Sequence, residues 1–75
     1  MPDRTLDARG LRCPMPLLRT KLELSGMTPG EQLEVIATDA GSQRDIPAWV
    51  ALSSHELVAQ SESEDQYRFV IRCGG

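Results

Sequence analysis

The spacing of apolar and polar residues changes several times along this chain. Thr5-Leu6-Asp7-Ala8 alternates with a period of two, which predicts a short first strand. Arg9-Gly10-Leu11-Arg12 is the connection that follows. From Pro14 to about Ser25 the apolar residues recur at helical spacing. Pro14, Met15, Leu18 and Leu22 fall on one predicted buried face, which Leu17 and Leu24 widen. Pro14 and Pro16 suit a first helical turn, where a main-chain N–H has no intrahelical partner to lose. Gly26 closes the helix, and Thr28-Pro29-Gly30 makes a turn.

A second strand is predicted over Gln32–Thr38, with Leu33, Val35 and Ala37 on its inner face. Asp39-Ala40-Gly41 then turns the chain into a second helix. Asp45 is its expected N-cap, because that choice keeps Pro47 in the first turn. Ile46, Trp49, Val50 and Leu52 form the expected buried side. His55, near the helix end, reads as a partner of the helix dipole or as plain surface. Leu57–Gln60 is the third strand, Ser61–Gln66 a polar acidic loop, and Tyr67–Cys73 the fourth strand. Tyr67, Phe69, Ile71 and Cys73 share its inner face.

The order βαβαββ predicts an α/β (α+β) two-layer sandwich, with two helices on one face of a four-stranded mixed sheet. Residues 1–75 are expected to form a single domain. The first two strands, joined through a helix, should be parallel with a right-handed crossover. The fourth should run antiparallel to them, leaving Cys73 at the sheet edge opposite Cys13, so that no disulfide joins the two.

Composition narrows the function classes. A chain of 75 residues, 40% hydrophobic and with one Trp, one Tyr and one Phe, has a thin aliphatic core and no room for a large enclosed substrate cavity. Chemistry is therefore expected at an exposed edge, with a macromolecular partner completing the site. No stretch approaches ~18 apolar residues, so no membrane span is expected. The beginning of the chain lacks the apolar core of a signal peptide. Two free thiols then fit a reducing, cytoplasmic setting. One His and two distant Cys leave no metal-binding spacing. The net charge of −3 and the scarcity of aromatics disfavour direct contact with nucleic acid. The charge is uneven. The first 21 residues hold Arg4, Arg9, Arg12, Arg19 and Lys21 against Asp3 and Asp7; the rest hold three arginines against nine carboxylates. That basic end could attract an acidic partner surface.

Cys13 stands in the basic part, between Arg12 and the Pro14-Met15-Pro16 helix start. A thiol at a helix N-terminus, beside an arginine, has the usual surroundings of a reactive thiolate. The N–H groups of Met15 and Leu17 are expected to face the sulfur, making Cys13 more acidic than a free cysteine, whose pKa is ~8.5. Asp39, Arg44 and Asp45 follow the second strand, and carboxyl ends of parallel strands are where sites form in open α/β sheets. These residues can therefore converge on Cys13. A carboxylate there would oppose a thiolate, so Asp39 and Asp45 read more simply as groups that orient Arg44 or cap the second helix.

Leu6-Asp7-Ala8-Arg9-Gly10-Leu11-Arg12-Cys13-Pro14-Met15-Pro16 resembles the Leu-Asp…Gly-Leu-x-Cys-Pro-x-Pro signature of the TusA/SirA-like sulfur carrier family. Pro29-Gly30-Glu31, Arg44-Asp45-Ile46-Pro47, His55-Glu56-Leu57-Val58 and Ile71-Arg72-Cys73-Gly74-Gly75 extend the resemblance over nearly the whole chain, and toward the TusA branch. The resemblance implies a sandwich like the C-terminal domain of bacterial translation initiation factor three. It also implies a carrier without cofactor, whose motif cysteine, here Cys13, takes sulfane sulfur from a cysteine desulfurase as a persulfide. A downstream sulfur-relay protein then takes the sulfur toward 2-thiouridine at the tRNA wobble position. Where related chains place a basic residue before the two glycines, this one has Cys73.

Two other readings fit part of the chain. A ubiquitin-like carrier would activate Gly74-Gly75 as a thiocarboxylate, but such folds open with a β-hairpin. A SirA-like partner-binding, redox or regulatory module in another sulfur or selenium pathway would share the Cys-Pro-x-Pro motif.

Overall fold

A computed structural model describes residues 1–75. Its elements are β1 (Arg4–Ala8), α1 (Met15–Ser25), β2 (Gln32–Ala37), α2 (Ser42–Leu52), β3 (Glu56–Ser63) and β4 (Gln66–Arg72). The sheet order is β1-β2-β4-β3. β1 and β2 are parallel, while β4 runs antiparallel to both of its neighbours, β2 and β3. The chain thus enters its fold by a strand–helix–strand unit, unlike the hairpin opening of a ubiquitin-like carrier.

Register explains the one-sided core. Leu6 pairs with Val35 and Val35 with Phe69, while Leu33 pairs with Ile71. A two-residue period puts all of them on one face. There they join Ala8, Ala37, Leu24, Met27, Ile46, Val50 and Cys73 in one buried cluster. Both helices lie against that face. The opposite face is open to solvent and laced by ion pairs, Arg68 with Glu34 at 3.3 Å and Arg72 with Glu56.

Three local expectations need correction. The second helix begins at Ser42, not at Asp45. The carbonyls of Asp39 and Ala40 accept the N–H groups of Ser42 and Gln43 at 3.1 and 3.2 Å, so main-chain groups satisfy donors that a cap would otherwise serve. Pro47 then lies inside α2, where its missing N–H costs one helical hydrogen bond. The loop expected over Ser61–Gln66 is only Glu64-Asp65: Ser61–Ser63 extend β3 and Gln66 opens β4. Both turn residues have positive φ, 49° and 66°, the geometry of a tight hairpin turn whose twist matches the strands. Leu52, expected inside, is 89% exposed.

The first helix is rotated relative to the apolar reading. Its buried line is Pro16, Thr20 and Leu24, spaced four apart. Thr20 fits inside because its hydroxyl donates to the Pro16 carbonyl at 2.8 Å, leaving no bare polar atom. Met15, Leu18 and Leu22, expected in the core, are 40%, 42% and 68% exposed. Of the predicted face, Leu24 is buried and Leu17 partly buried.

Cys73 continues the β4 pairing, with its N–H and C=O bonded to Glu31 and Gly30, just before β2. It is buried, with Sγ 3.7 Å from the carbonyls of Leu24 and Met27. Cys13 follows the far end of β1. Five or six residues of strand separate these edges by roughly 17–20 Å, and both thiols are free. His55 is neither free surface nor dipole partner: its Nδ1 accepts the Gly74 N–H at 2.9 Å, and its ring lies 5.5 Å from that of Trp49.

Candidate functional site

The connection from β1 to α1 is shaped before Cys13 is reached. Asp7 accepts the Arg9 main-chain N–H at 3.1 Å and two guanidinium contacts at 2.8 Å. The Arg9 side chain, then its main-chain N–H, hold the Asp7 carboxyl down at about 2. Gly10 takes φ +80°, which a side chain disfavours, and donates its N–H to Thr38 Oγ1 at 3.0 Å. Leu11 packs against the core. These contacts tie the connection to the end of β2 and deliver Cys13 to the edge where both parallel strands finish.

α1 begins beyond the thiol. Its N-cap is Pro14, which has no cap side chain, and the Cys13–Pro14 peptide is cis. The Met15 N–H is already bonded to the Arg12 carbonyl at 2.8 Å. Neither Met15 nor Leu17 donates to the sulfur. The single hydrogen bond of Cys13 Sγ goes to Asp45 Oδ2 at 3.2 Å, with the thiol as donor. Asp45 Oδ1 accepts from Arg44 Nε at 3.3 Å.

This arrangement reverses the expected acidity of Cys13. Its pKa is raised: first by the hydrogen bond to Asp45, then by partial withdrawal from water and the charges of Asp45 and Asp39, with Arg44 pulling the other way. Asp45 is correspondingly lowered, first by Cys13 and then by Arg44. The helix N-terminus and Arg12 were expected to dominate. The carboxylate wins because it touches the sulfur, whereas two prolines and a spent Met15 N–H strip the helix start of donors.

All the sequence-predicted site residues lie in or beside one edge. Cys13, Arg44 and Asp45 are in contact or linked by contact. Asp39 Oδ2 is buried without a hydrogen-bond partner, as is Ser42 Oγ on the first turn of α2. Arg12 is exposed beside the thiol and contributes its carbonyl, not its charge, to a hydrogen bond. Pro14 caps α1, and Pro16 is buried under its first turn. Two residues escaped the sequence reading: Thr38, which receives Gly10, and Gly41. A Cβ on Gly41 would stand 3.5 Å from the Cys13 Cβ and 2.9 Å from Asp39 Oδ2. Gly41 thus lets α2 approach the cysteine closely. A Gly between strand and helix was its only sequence signal.

Cys13 is exposed and has no pocket beside it. The one concavity, about 250 Å³, lies at the β3–β4 hairpin, lined by Ser61, Ser63, Glu64, Gln66 and Arg68. No group of three or more His, Cys, Asp or Glu side chains is placed to hold a metal ion. No helix is long and apolar enough to cross a membrane.

A family model described as sulfurtransferase TusA matches residues 4–73. The chain belongs to the TusA/SirA-like family. Its role is accordingly in sulfur transfer, and as a sulfur-relay component it works with protein partners. The fold is also that of a crystal structure of a SirA-like protein from Desulfitobacterium hafniense. The two superpose with a TM-score of 0.83 at 22% identity, over 96% of this chain and 99% of that one.

Proposed function

We propose that this TusA-family protein is a persulfide carrier. Cys13 accepts sulfane sulfur from a cysteine desulfurase and hands it to a downstream relay protein, on a route that ends in 2-thiouridine at the tRNA wobble position in the cytoplasm. The observation that carries this reading is an exposed thiol on an open edge with no pocket beside it. A small-molecule enzyme needs a cleft to orient its substrate. A carrier needs its sulfur to reach into other proteins' sites.

The chemistry is thiol–persulfide exchange. Cys13 Sγ, having lost its proton, attacks the terminal sulfur of the donor persulfide; a new Sγ–S bond forms and the donor S–S bond breaks. The donor cysteine leaves as thiolate. The same exchange, with Cys13 now the leaving group, passes the sulfur on. No external oxidant, cofactor or metal is needed.

Partner contact is supported by the surface beside the thiol. Met15, Leu18 and Leu22 form an exposed apolar row along α1, and Arg12, Arg19 and Lys21 accompany it. Apolar anchors rimmed by cations fit a partner surface with an apolar groove and acidic margins. The protein's net charge of −3 favours protein partners over direct contact with tRNA.

The test is intact-mass analysis after incubation with a cysteine desulfurase and cysteine. Wild type and Cys73→Ser gain the mass of one sulfur atom; Cys13→Ser does not. Uptake by Cys13→Ser, mapped to a peptide, overturns the assignment.

A further inference from the structure

We propose that Asp45 is a positioning residue that holds Cys13 in its thiol form until a docking partner engages the carboxylate. This rests on the carrier reading, and it adds a regulation of the same thiol.

The geometry carries it. The Sγ–Oδ2 contact of 3.2 Å exists only while sulfur keeps its proton, because an ionised carboxylate can accept but cannot donate. Removing that proton would leave two anions at contact distance. No group donates a hydrogen bond to the sulfur, and Asp45 is its one acceptor. Facing it are Asp45 and Arg44 from α2 and Asp39 from the preceding connection, with Arg12 next in its own segment. Of the two cations, Arg44 is committed to Asp45, and its own side chain is 84% exposed. The direction of the Cys13 shift agrees with this placement.

The same geometry says what releases the thiol. Asp45 is 26% exposed in its side chain, so an incoming group can reach it. A partner lysine, arginine or main-chain N–H that takes Oδ2 removes the acceptor and screens the charge. The proton of Cys13 then passes to water, and the thiolate attacks the donor persulfide as the donor cysteine leaves with its electron pair. Free carrier is thereby less reactive toward adventitious electrophiles, and full reactivity appears in the complex.

The experiment measures iodoacetamide alkylation of Cys13 against pH in a Cys73→Ser background, for Asp45, Asp45→Asn and Asp45→Ala. Asp45→Asn keeps size and an acceptor but loses the charge. Both variants should move the midpoint to lower pH and raise the rate at pH 7 by about threefold for each tenfold gain in thiolate, since nucleophilicity falls with basicity along a slope of roughly 0.4–0.5. For the same reason the high-pH plateau should fall. An unmoved midpoint overturns the proposal, as does a raised plateau with an unmoved midpoint, which signals mere unmasking of the sulfur. Far-UV circular dichroism confirms that each variant is folded. Desulfurase loading is followed in parallel. A wild type that takes up no sulfur while the pH profile still shifts refutes the carrier reading alone. A loaded wild type with an unshifted profile refutes the role of Asp45 alone.

Discussion

Gly41 lies against Cys13 across the site edge, so that any side chain there would reach the cysteine Cβ within 3.5 Å. The Gly41 backbone is helical, with φ −62° and ψ −28°, so an alanine is sterically allowed in conformation. Its Cβ would press only on the Asp39 carboxylate, the movable end of a side chain. Gly41→Ala should therefore keep its Tm within about 6 °C of wild type, the effect of roughly 1 kcal/mol in a small domain. Gly41→Leu should lose desulfurase loading, because bulk beside Cys13 blocks a protein-sized donor. Alkylation by iodoacetamide should persist in it. Equal loss of both reactions would show that the glycine serves the fold of α2 and not access to the sulfur.

The exposed row on α1 separates docking from stability. Leu18→Glu and Leu22→Glu change solvent-facing positions, where substitutions stay within about 0.5 kcal/mol. Urea midpoints should match wild type. Sulfur uptake from a cysteine desulfurase should slow in both, through weaker association, and recover at higher donor concentration. Unchanged uptake in both variants would move the docking surface elsewhere.

The β3–β4 turn is built from residues that resist their own conformation. Glu64 and Asp65 both take positive φ, where Asn and Gly are favoured. Replacing them by Asn and Gly should stabilise the fold by about 1 kcal/mol, because these residues adopt the left-handed conformation at less cost. A Tm that rises by a few degrees would show this in a thermal melt. Neither residue touches Cys13, so sulfur loading should stay as in wild type.

The Asp7–Arg9 pair makes a pH prediction. Asp7 titrates at about 2 in the folded chain, below its ordinary 3.8, because Arg9 bonds to the ionised form. A lowered acid contributes stability that is fully present above about 3.8 and is lost as pH falls through about 2. Asp7→Asn should therefore flatten stability against pH in that window, most visibly at low salt, because the pair is exposed and screened by ions. Acid unfolding followed by circular dichroism measures it. An identical acid profile for both proteins would show that the pair orients the loop without stabilising the fold.

How much of this was written in the residue pattern depends on the element. Leu33, Val35 and Ala37, and Phe69, Ile71 and Cys73, were legible because burial on one sheet face imposes a two-residue period that local reading detects. The parallel direction of β1 and β2 followed from the helix that joins them, whereas the insertion of β4 between β2 and β3 is a matter of tertiary pairing. Cys13 at the start of α1 followed from its prolines and from the family signature.

The rest was decided by contacts between segments far apart in the chain. A helix with apolar residues on most sides does not say which side faces the sheet. Packing set Pro16, Thr20 and Leu24 inward and left Met15, Leu18 and Leu22 outward. Local capping rules put Asp45 at the start of α2, whereas its carboxylate is occupied by Arg44 and by Cys13, 32 residues earlier. The acidity of Cys13 turns on the same contact. Charge effects on a thiol fall off steeply with distance, and only the folded chain brings Asp45 to 3.2 Å while leaving the basic residues of the first segment without contact to the sulfur.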